Sequence, residues 1–139
     1  MKITGDWLTD PAAQSVLGML SAAGYRALCV GGCVRNALLG VAVTDVDIAT
    51  DALPETVTML AEKAGLRAVP TGIEHGTVTV VAGGTGFEVT TFRHDVESFG
   101  RHARVAFSAD LKQDARRRDL TMNALYAQAD GQVIDPIGG

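Results

Sequence analysis

Residues 26–50 decide how the rest of the chain is read. Arg26-Ala27-Leu28-Cys29-Val30 is a short apolar run that breaks at Gly31-Gly32, and Cys33-Val34-Arg35-Asn36-Ala37-Leu38-Leu39 follows before Gly40. The first run, bounded by glycines, reads as a buried strand, and the stretch after it as a short helix that Gly40 stops. Asp45-Val46-Asp47-Ile48-Ala49 then reads as a second strand. Side chains alternate along a strand, so Asp45 and Asp47 share one face while Val46 and Ile48 pack behind it.

That pairing of acids carries chemistry. Two carboxylates on one face, about 7 Å apart along the backbone, repel each other unless a cation lies between them. Hard, oxygen-preferring ions such as Mg²⁺ satisfy both, and two-metal sites hold such ions about 3.5–4 Å apart. A solvated strand end accounts for the same spacing. The glycine pair is read in the same two ways. Gly31 and Gly32 at a helix start let a phosphate approach free N–H groups, and Arg35, one turn on, adds a fork of donors. A tight strand-to-helix turn with a surface arginine fits the residues equally. Neither a Gly-x4-Gly-Lys-Ser/Thr loop nor a Gly-x-Gly-x-x-Gly turn after a strand occurs in the chain.

Outward from this centre, helical and strand signals alternate. Asp10-Pro11 is an N-cap followed by proline at the first helical position, opening a helix that Gly24 stops. Pro54 opens another, with Val57, Leu60, Ala61 and Ala64 on one stripe and Gly65 as its end. Thr77–Val81 and Phe87–Phe92 are β-branched runs around Gly83-Gly84-Thr85-Gly86, the pattern of a hairpin. Residues 93–107 show no clean period and read as a mobile loop. Asp110–Tyr126 reads as helix, and Asp130-Gly131 turns the chain into a last short strand, Val133–Asp135. The sum is an α/β (α+β) domain with a mixed sheet of about five strands.

Composition sets the limits. The 139 residues suffice for one domain with a real core, and 47% apolar against 20% charged residues argues against long disorder. No window offers the ~18 apolar residues of a membrane span, and the acidic, broken N-terminus is no signal peptide. A soluble, cytoplasmic protein is expected. The net charge of −4 argues against a basic nucleic-acid clamp. The charge is uneven, however: residues 1–92 hold five Lys/Arg against nine Asp/Glu, residues 93–118 seven against four. A locally basic stretch in an acidic domain suits a polyanionic ligand. Cys29 and Cys33 lack the spacing of a zinc site and read as buried small hydrophobes.

Three further features are candidates. Glu88 interrupts an apolar, β-branched strand, where glutamate is disfavoured unless its face is solvated or binds something. Arg116-Arg117-Arg118-Asp119 precedes Asn123, so Asp119 and Asn123 fall at i, i+4 on one helix face. Such a face can grip a triphosphate and a sugar hydroxyl, and it can equally be a solvated basic face. His75 reads as structural, and His94-Asp95 lacks companion ligands.

Taken in order, six stretches resemble the N-terminal head of the class II CCA-adding tRNA nucleotidyltransferase and bacterial poly(A) polymerase family. They are Gly31–Gly40, Asp45–Thr50, Gly72–Val78, Glu88–Arg93, Arg117–Ala124 and Asp135–Gly139, within residues 25–139. The resemblance implies a polymerase-β-like nucleotidyltransferase head. It makes Asp45 and Asp47 the ligands of two Mg²⁺ ions and Glu88 the third carboxylate. It assigns the triphosphate to Gly31, Gly32, Arg35, Arg117 and Arg118, with Asp119 and Asn123 near the sugar or the helix that presents it. It makes residues 93–107 the family's flexible loop. Asn36 departs from the family's usual aspartate, which removes an ion pair but leaves a hydrogen bond possible, and Leu120 replaces a common phenylalanine.

The implied reaction is attack of a tRNA 3′-hydroxyl on the α-phosphorus of CTP or ATP. The family's neck, body and tail, with the base-reading run, are expected beyond Gly139, so residues 1–139 are the head alone. The Gly-Arg-Arg-Phe-like run of bacterial poly(A) polymerases is missing from Val69–His75, which favours CCA addition. Poly(A) synthesis, CC-only or A-only addition, nucleotidyl transfer to a small molecule and a non-catalytic nucleotide- or RNA-binding module are the alternatives.

Overall fold

The computed structural model describes residues 3, 5–43, 45–72, 76–99, 102–107, 111–116 and 125–135. After a single helical turn, α1 (Asp6–Thr9), Asp10 accepts a hydrogen bond from the Ala12 N–H at 3.0 Å and Pro11 opens α2 (Pro11–Ala22). The helix buries Ala13, Val16, Leu17 and Leu20, the i, i+3, i+4, i+7 stripe of a core-facing helix. It ends where Gly24 takes a positive φ of 90° and the Tyr25 N–H turns back to the Leu20 carbonyl.

β1 (Ala27–Val30) is buried along its whole length and runs through Gly31 into α3 (Gly32–Leu39). β2 (Asp47–Thr50) pairs antiparallel with β1, so that Val30 lies opposite Asp47. α4 (Pro54–Lys63) leads to β3 (Arg67–Gly72), and β4 (Thr77–Ala82) and β5 (Thr85–Thr91) form a hairpin about Gly83-Gly84. Its two-residue turn, with positive φ at both glycines, matches the twist of the flanking strands. β6 (Arg93–Phe99) pairs antiparallel with β7 (His102–Phe107), apart from the main sheet. After α5 (Leu111–Arg116) come β8 (Tyr126–Ala127) and β9 (Val133–Ile134).

Among the described residues, the main sheet has seven strands in the order β3-β4-β5-β2-β1-β8-β9. Only β2 and β5 pair in parallel among the described residues. The mixed α/β architecture is the expected one, with two more strands than the sequence suggests. β3 is hidden by Pro70, tolerated because β3 is an edge strand, and β8 is only two residues long. Where a mobile loop is expected, Arg93–Phe99 and His102–Phe107 pair as a ribbon; a register shift between Asp95 and Glu97 breaks the alternation that would reveal it. The helix expected to reach Tyr126 does not: Tyr126 pairs with Val30 in the sheet.

β1, β2, β8 and β9 feed two cores, whereas β4 and β5 feed one. Cys29, Ile48, Val78, Val80, Phe87 and Val89 pack beneath α2, α3 and α4 in the larger one. The alternate residues Leu28, Val30, Ala49 and Tyr126 meet Leu111 and Ala115 of α5 in the smaller one, joined by Phe92. Asp114 is buried there, and the Tyr126 hydroxyl donates to its Oδ2 at 2.5 Å. α5 thus covers the second face over β1, β2 and β8, whereas Gly86 and Glu88 on β5 stay exposed. Among the described residues, no helix is long and apolar enough to cross a membrane.

Candidate active site

The exposed part of that second face holds the acids. Asp47 is the first residue of β2 and the only exposed one, followed by buried Ile48, Ala49 and Thr50. Its partner across the parallel pairing is Glu88, on a strand whose alternating burial places Phe87 and Val89 in the core and Glu88 outside. Neighbouring strands lie about 4.8 Å apart, so these carboxylates flank each other directly. Like charges in that position destabilise a sheet. Glutamate inside this β-branched strand is explained by the open face it points to.

Asp45 lies before β2, not within it, so strand alternation does not align it with Asp47. It nevertheless lines the same cleft, of about 380 Å³, together with Val46, Asp47, Thr79, Gly86 and Glu88. None of these described lining residues is cationic. A cleft of similar size, about 400 Å³, opens at the other end of β1 between Ser21, Tyr25, Arg26, Gln128 and Asp130, and offers no pair of acids.

Beside Asp47, β1 delivers the start of α3. Gly31 holds φ 79° and ψ −133°, a backbone that a side chain would strain. Gly32 lies under the Arg35 guanidinium: a Cβ on Gly32 would sit 3.6 Å from Nη2. Arg35 Nε donates to Asn36 Oδ1 at 3.3 Å, and Asn36 Nδ2 donates to the Ala42 carbonyl at 3.2 Å. Asn36 therefore orients the arginine with a neutral acceptor and ties the end of α3 to the segment leading to Asp45. Bare glycine backbone, a helix N-terminus and a held guanidinium together suit an anion.

The two cysteines are free and buried, as the sequence suggests. Cys33 donates to the Val30 carbonyl at 3.4 Å. Its contact with Cys29, together with burial, pushes the Cys29 thiol well above its ordinary value, which keeps it protonated and unreactive.

The structure brings Asp45, Asp47 and Glu88 to one cleft, with Gly31, Gly32 and Arg35 at the adjoining helix start. Arg117, Arg118, Asp119, Asn123 and His75 lie outside the described residues. His94 is on the β6–β7 ribbon, opposite Ala106. Sequence reasoning passes over Thr79 and Gly86. The signal is the Gly83-Gly84 turn: once it pairs Ala82 with Thr85, the register puts Thr79 opposite Glu88 and Val81 opposite Gly86.

A mixed sheet with acids on its open face and a glycine-led helix beside them defines the class. The chain belongs to the poly A polymerase head domain family, whose model matches residues 27–139. Among individual proteins, it is 48% identical over 130 residues to the CCA-adding enzyme of Lactiplantibacillus plantarum, covering 92% of this chain and 31% of that protein. It is 49% identical over 129 residues to the CCA-adding enzyme of Bacillus pumilus, covering 91% and 31%. The chain thus spans about a third of the length of these curated relatives. The crystal structure of the Bacillus stearothermophilus CCA-adding enzyme in complex with CTP superposes with a TM-score of 0.79 at 44% identity, over 92% of this chain and 30% of that one. A tRNA nucleotidyltransferase complexed with a primer tRNA and an incoming ATP analog gives a TM-score of 0.67 at 33% identity, over 89% and 35%.

Proposed function

We propose that this chain is the catalytic head of a longer cytoplasmic tRNA nucleotidyltransferase that adds CCA to tRNA 3′ ends from CTP and ATP. The observation that carries the reading is the parallel pairing of Asp47 with Glu88, with Asp45 lining the same cleft. The relatives named CCA-adding enzymes, and the similar structures with CTP and with primer tRNA, supply the substrates.

The donor set fits a divalent ion: it is all oxygen and all anionic, in a cleft open to one side. Among the described residues no three His, Cys, Asp or Glu side chains form a metal-holding cluster by themselves. Mg²⁺ keeps several waters and takes further oxygens from substrate phosphates, so it needs only one or two protein carboxylates. Asp45 and Asp47 would hold two such ions, with Glu88 as the third carboxylate. The bound ions supply a lowered pKa for the attacking hydroxyl and charge neutralisation for the departing pyrophosphate.

The protein's own groups set the geometry. Gly31, Gly32 and Arg35 would bind the triphosphate, helped by Arg117 and Arg118, while Asp119 and Asn123 would attend the sugar. The primer 3′-oxygen forms a bond to the α-phosphorus as the bond from that phosphorus to the bridging oxygen breaks. Pyrophosphate leaves with the electron pair, and the hydroxyl proton passes to solvent. A neck, body and tail beyond Gly139 would read the base and hold the tRNA.

The test supplies the uncut gene product with Mg²⁺, labelled CTP or ATP and a tRNA lacking its CCA. Incorporation of CTP followed by ATP is expected. ATP taken up in long tracts without CTP would mean poly(A) synthesis instead. Asp45→Ala with Asp47→Ala should lower incorporation by about 1,000-fold or more, since each ion's charge stabilisation is worth several kcal/mol. A nucleotide- or RNA-binding module would keep its binding in that variant and show no incorporation even as wild type.

A further inference from the structure

The polar face continues past the carboxylates. Thr79 lies directly opposite Glu88 and lines the same cleft, and its Oγ1 is 2.7 Å from the Oγ1 of Thr71 on β3. Asp47, Glu88 and Thr79 therefore form a row across β2, β5 and β4. Val69 is the register partner of Thr79 on β3, and Thr71 joins the row through its hydroxyl past the irregularity that follows Val69. Gly86 faces the same cleft two residues before Glu88. Its φ is not positive, so the backbone does not require glycine there. A Cβ at that position would stand 3.1 Å from Thr79 Cγ2, so what the glycine contributes is room.

Direction follows from the strand order. β1, which leads into Gly31-Gly32 and Arg35, lies on one side of Asp47, and β5 and β4 lie on the other. In-line displacement puts the entering and leaving oxygens on opposite sides of the phosphorus. With the triphosphate tail on the α3 side, the attacking sugar comes over β5 and β4. Its 3′-oxygen belongs beside Asp47 and Glu88, and its 2′-hydroxyl, on the adjacent carbon, then falls within reach of the next strand, about 4.8 Å away.

We propose that Thr79, backed by Thr71, binds the 2′-hydroxyl of the primer's terminal ribose, and that Gly86 leaves space for that sugar. This seat rests on the function proposed above. A paired hydroxyl is suited to the task. Whichever threonine donates between the two, Thr79 keeps an O–H or a lone pair for a ligand group that both donates and accepts. The 2′-hydroxyl is the group that distinguishes an RNA end from a DNA end. A second pair, Thr77 with Thr90 at 2.9 Å, bonds in the same way but does not line the cleft, and so provides a control.

The experiment measures KM for CTP and for two primers on the uncut gene product. The primers are a tRNA lacking CCA and the same tRNA with a 2′-deoxy terminal nucleotide. In the wild type, loss of the 2′-hydroxyl should raise primer KM roughly 2- to 10-fold, the worth of one hydrogen bond. Thr79→Val should raise KM for the intact primer by a similar factor, leave KM for CTP unchanged and abolish the response to the 2′-deoxy end. Thr79→Ser should restore that response, and Thr77→Val should leave it whole. Should Thr79→Val melt early, Thr71→Val, at an exposed pair, must weaken the response in the same direction. A full 2′-deoxy penalty in Thr79→Val, or equal rises in KM for CTP and primer, overturns the seat. A wild type that incorporates CTP with no 2′-hydroxyl sensitivity overturns the seat alone, whereas one that incorporates nothing overturns the proposed function and the seat with it.

Discussion

The two faces of the main sheet are built from the same strands and serve opposite ends. Beneath α2 and α4, Ile48, Val78, Val80, Phe87 and Val89 are at most 2% exposed and pack into one continuous core. One residue along each strand, the chain presents Asp47, Glu88 and Thr79 to a cleft, with only the β1–β2–β8 part closed by α5. A strand's period of two makes this possible: the covered face anchors the sheet while the other keeps charges that stability alone would not select. Substitutions on the two faces should therefore fail in different ways.

The largest difference is expected at Glu88. Glu88→Gln removes a negative charge opposite Asp47, so thermal stability should hold or rise by up to about 1 kcal/mol. CTP incorporation should fall by about 100-fold or more. A parallel loss of stability and activity would erase the contrast. On the covered face, Leu17→Ala should cost about 2–5 kcal/mol in denaturant unfolding, because Leu17 is fully buried in α2. Its KM for CTP, measured below the melting temperature, should not move.

The smallest effect tests the half-covered part. Tyr126→Phe deletes the hydroxyl that donates to buried Asp114. Leaving that carboxylate short of one donor should cost about 1–3 kcal/mol in urea unfolding. An unchanged unfolding midpoint would mean that this hydrogen bond does not help to dock α5 on the sheet.

How much of this was legible in the sequence varies with how local the signal is. The caps of α2, the glycine stop of α3 and the Gly83-Gly84 hairpin depend on a few adjacent residues, and the structure has them in place. Glu88 on a solvated face follows from one disfavoured residue in a β-branched run. Signals that need partners were illegible. β3 carries Pro70 and no alternation of its own, and becomes a strand through pairing with β4. The β6–β7 ribbon is masked by its shifted register, and Tyr126 belongs to an apolar run too short to separate strand from helix. Asp45 reached the cleft by a route that strand alternation does not describe, because β2 begins only at Asp47. The facing of Thr79 and Glu88 required the hairpin register, which the sequence placed about a broader turn.

Under the proposed function, the open face bears its carboxylates in order to hold divalent ions next to a nucleotide. Electron paramagnetic resonance of Mn²⁺ titrated into the chain with CTP present tests it without requiring turnover. Bound Mn²⁺ is expected in the wild type and in a covered-face control such as Ile48→Val. It should disappear in Asp45→Ala with Asp47→Ala, at unchanged circular dichroism. Mn²⁺ bound equally well by the folded double variant would contradict the account.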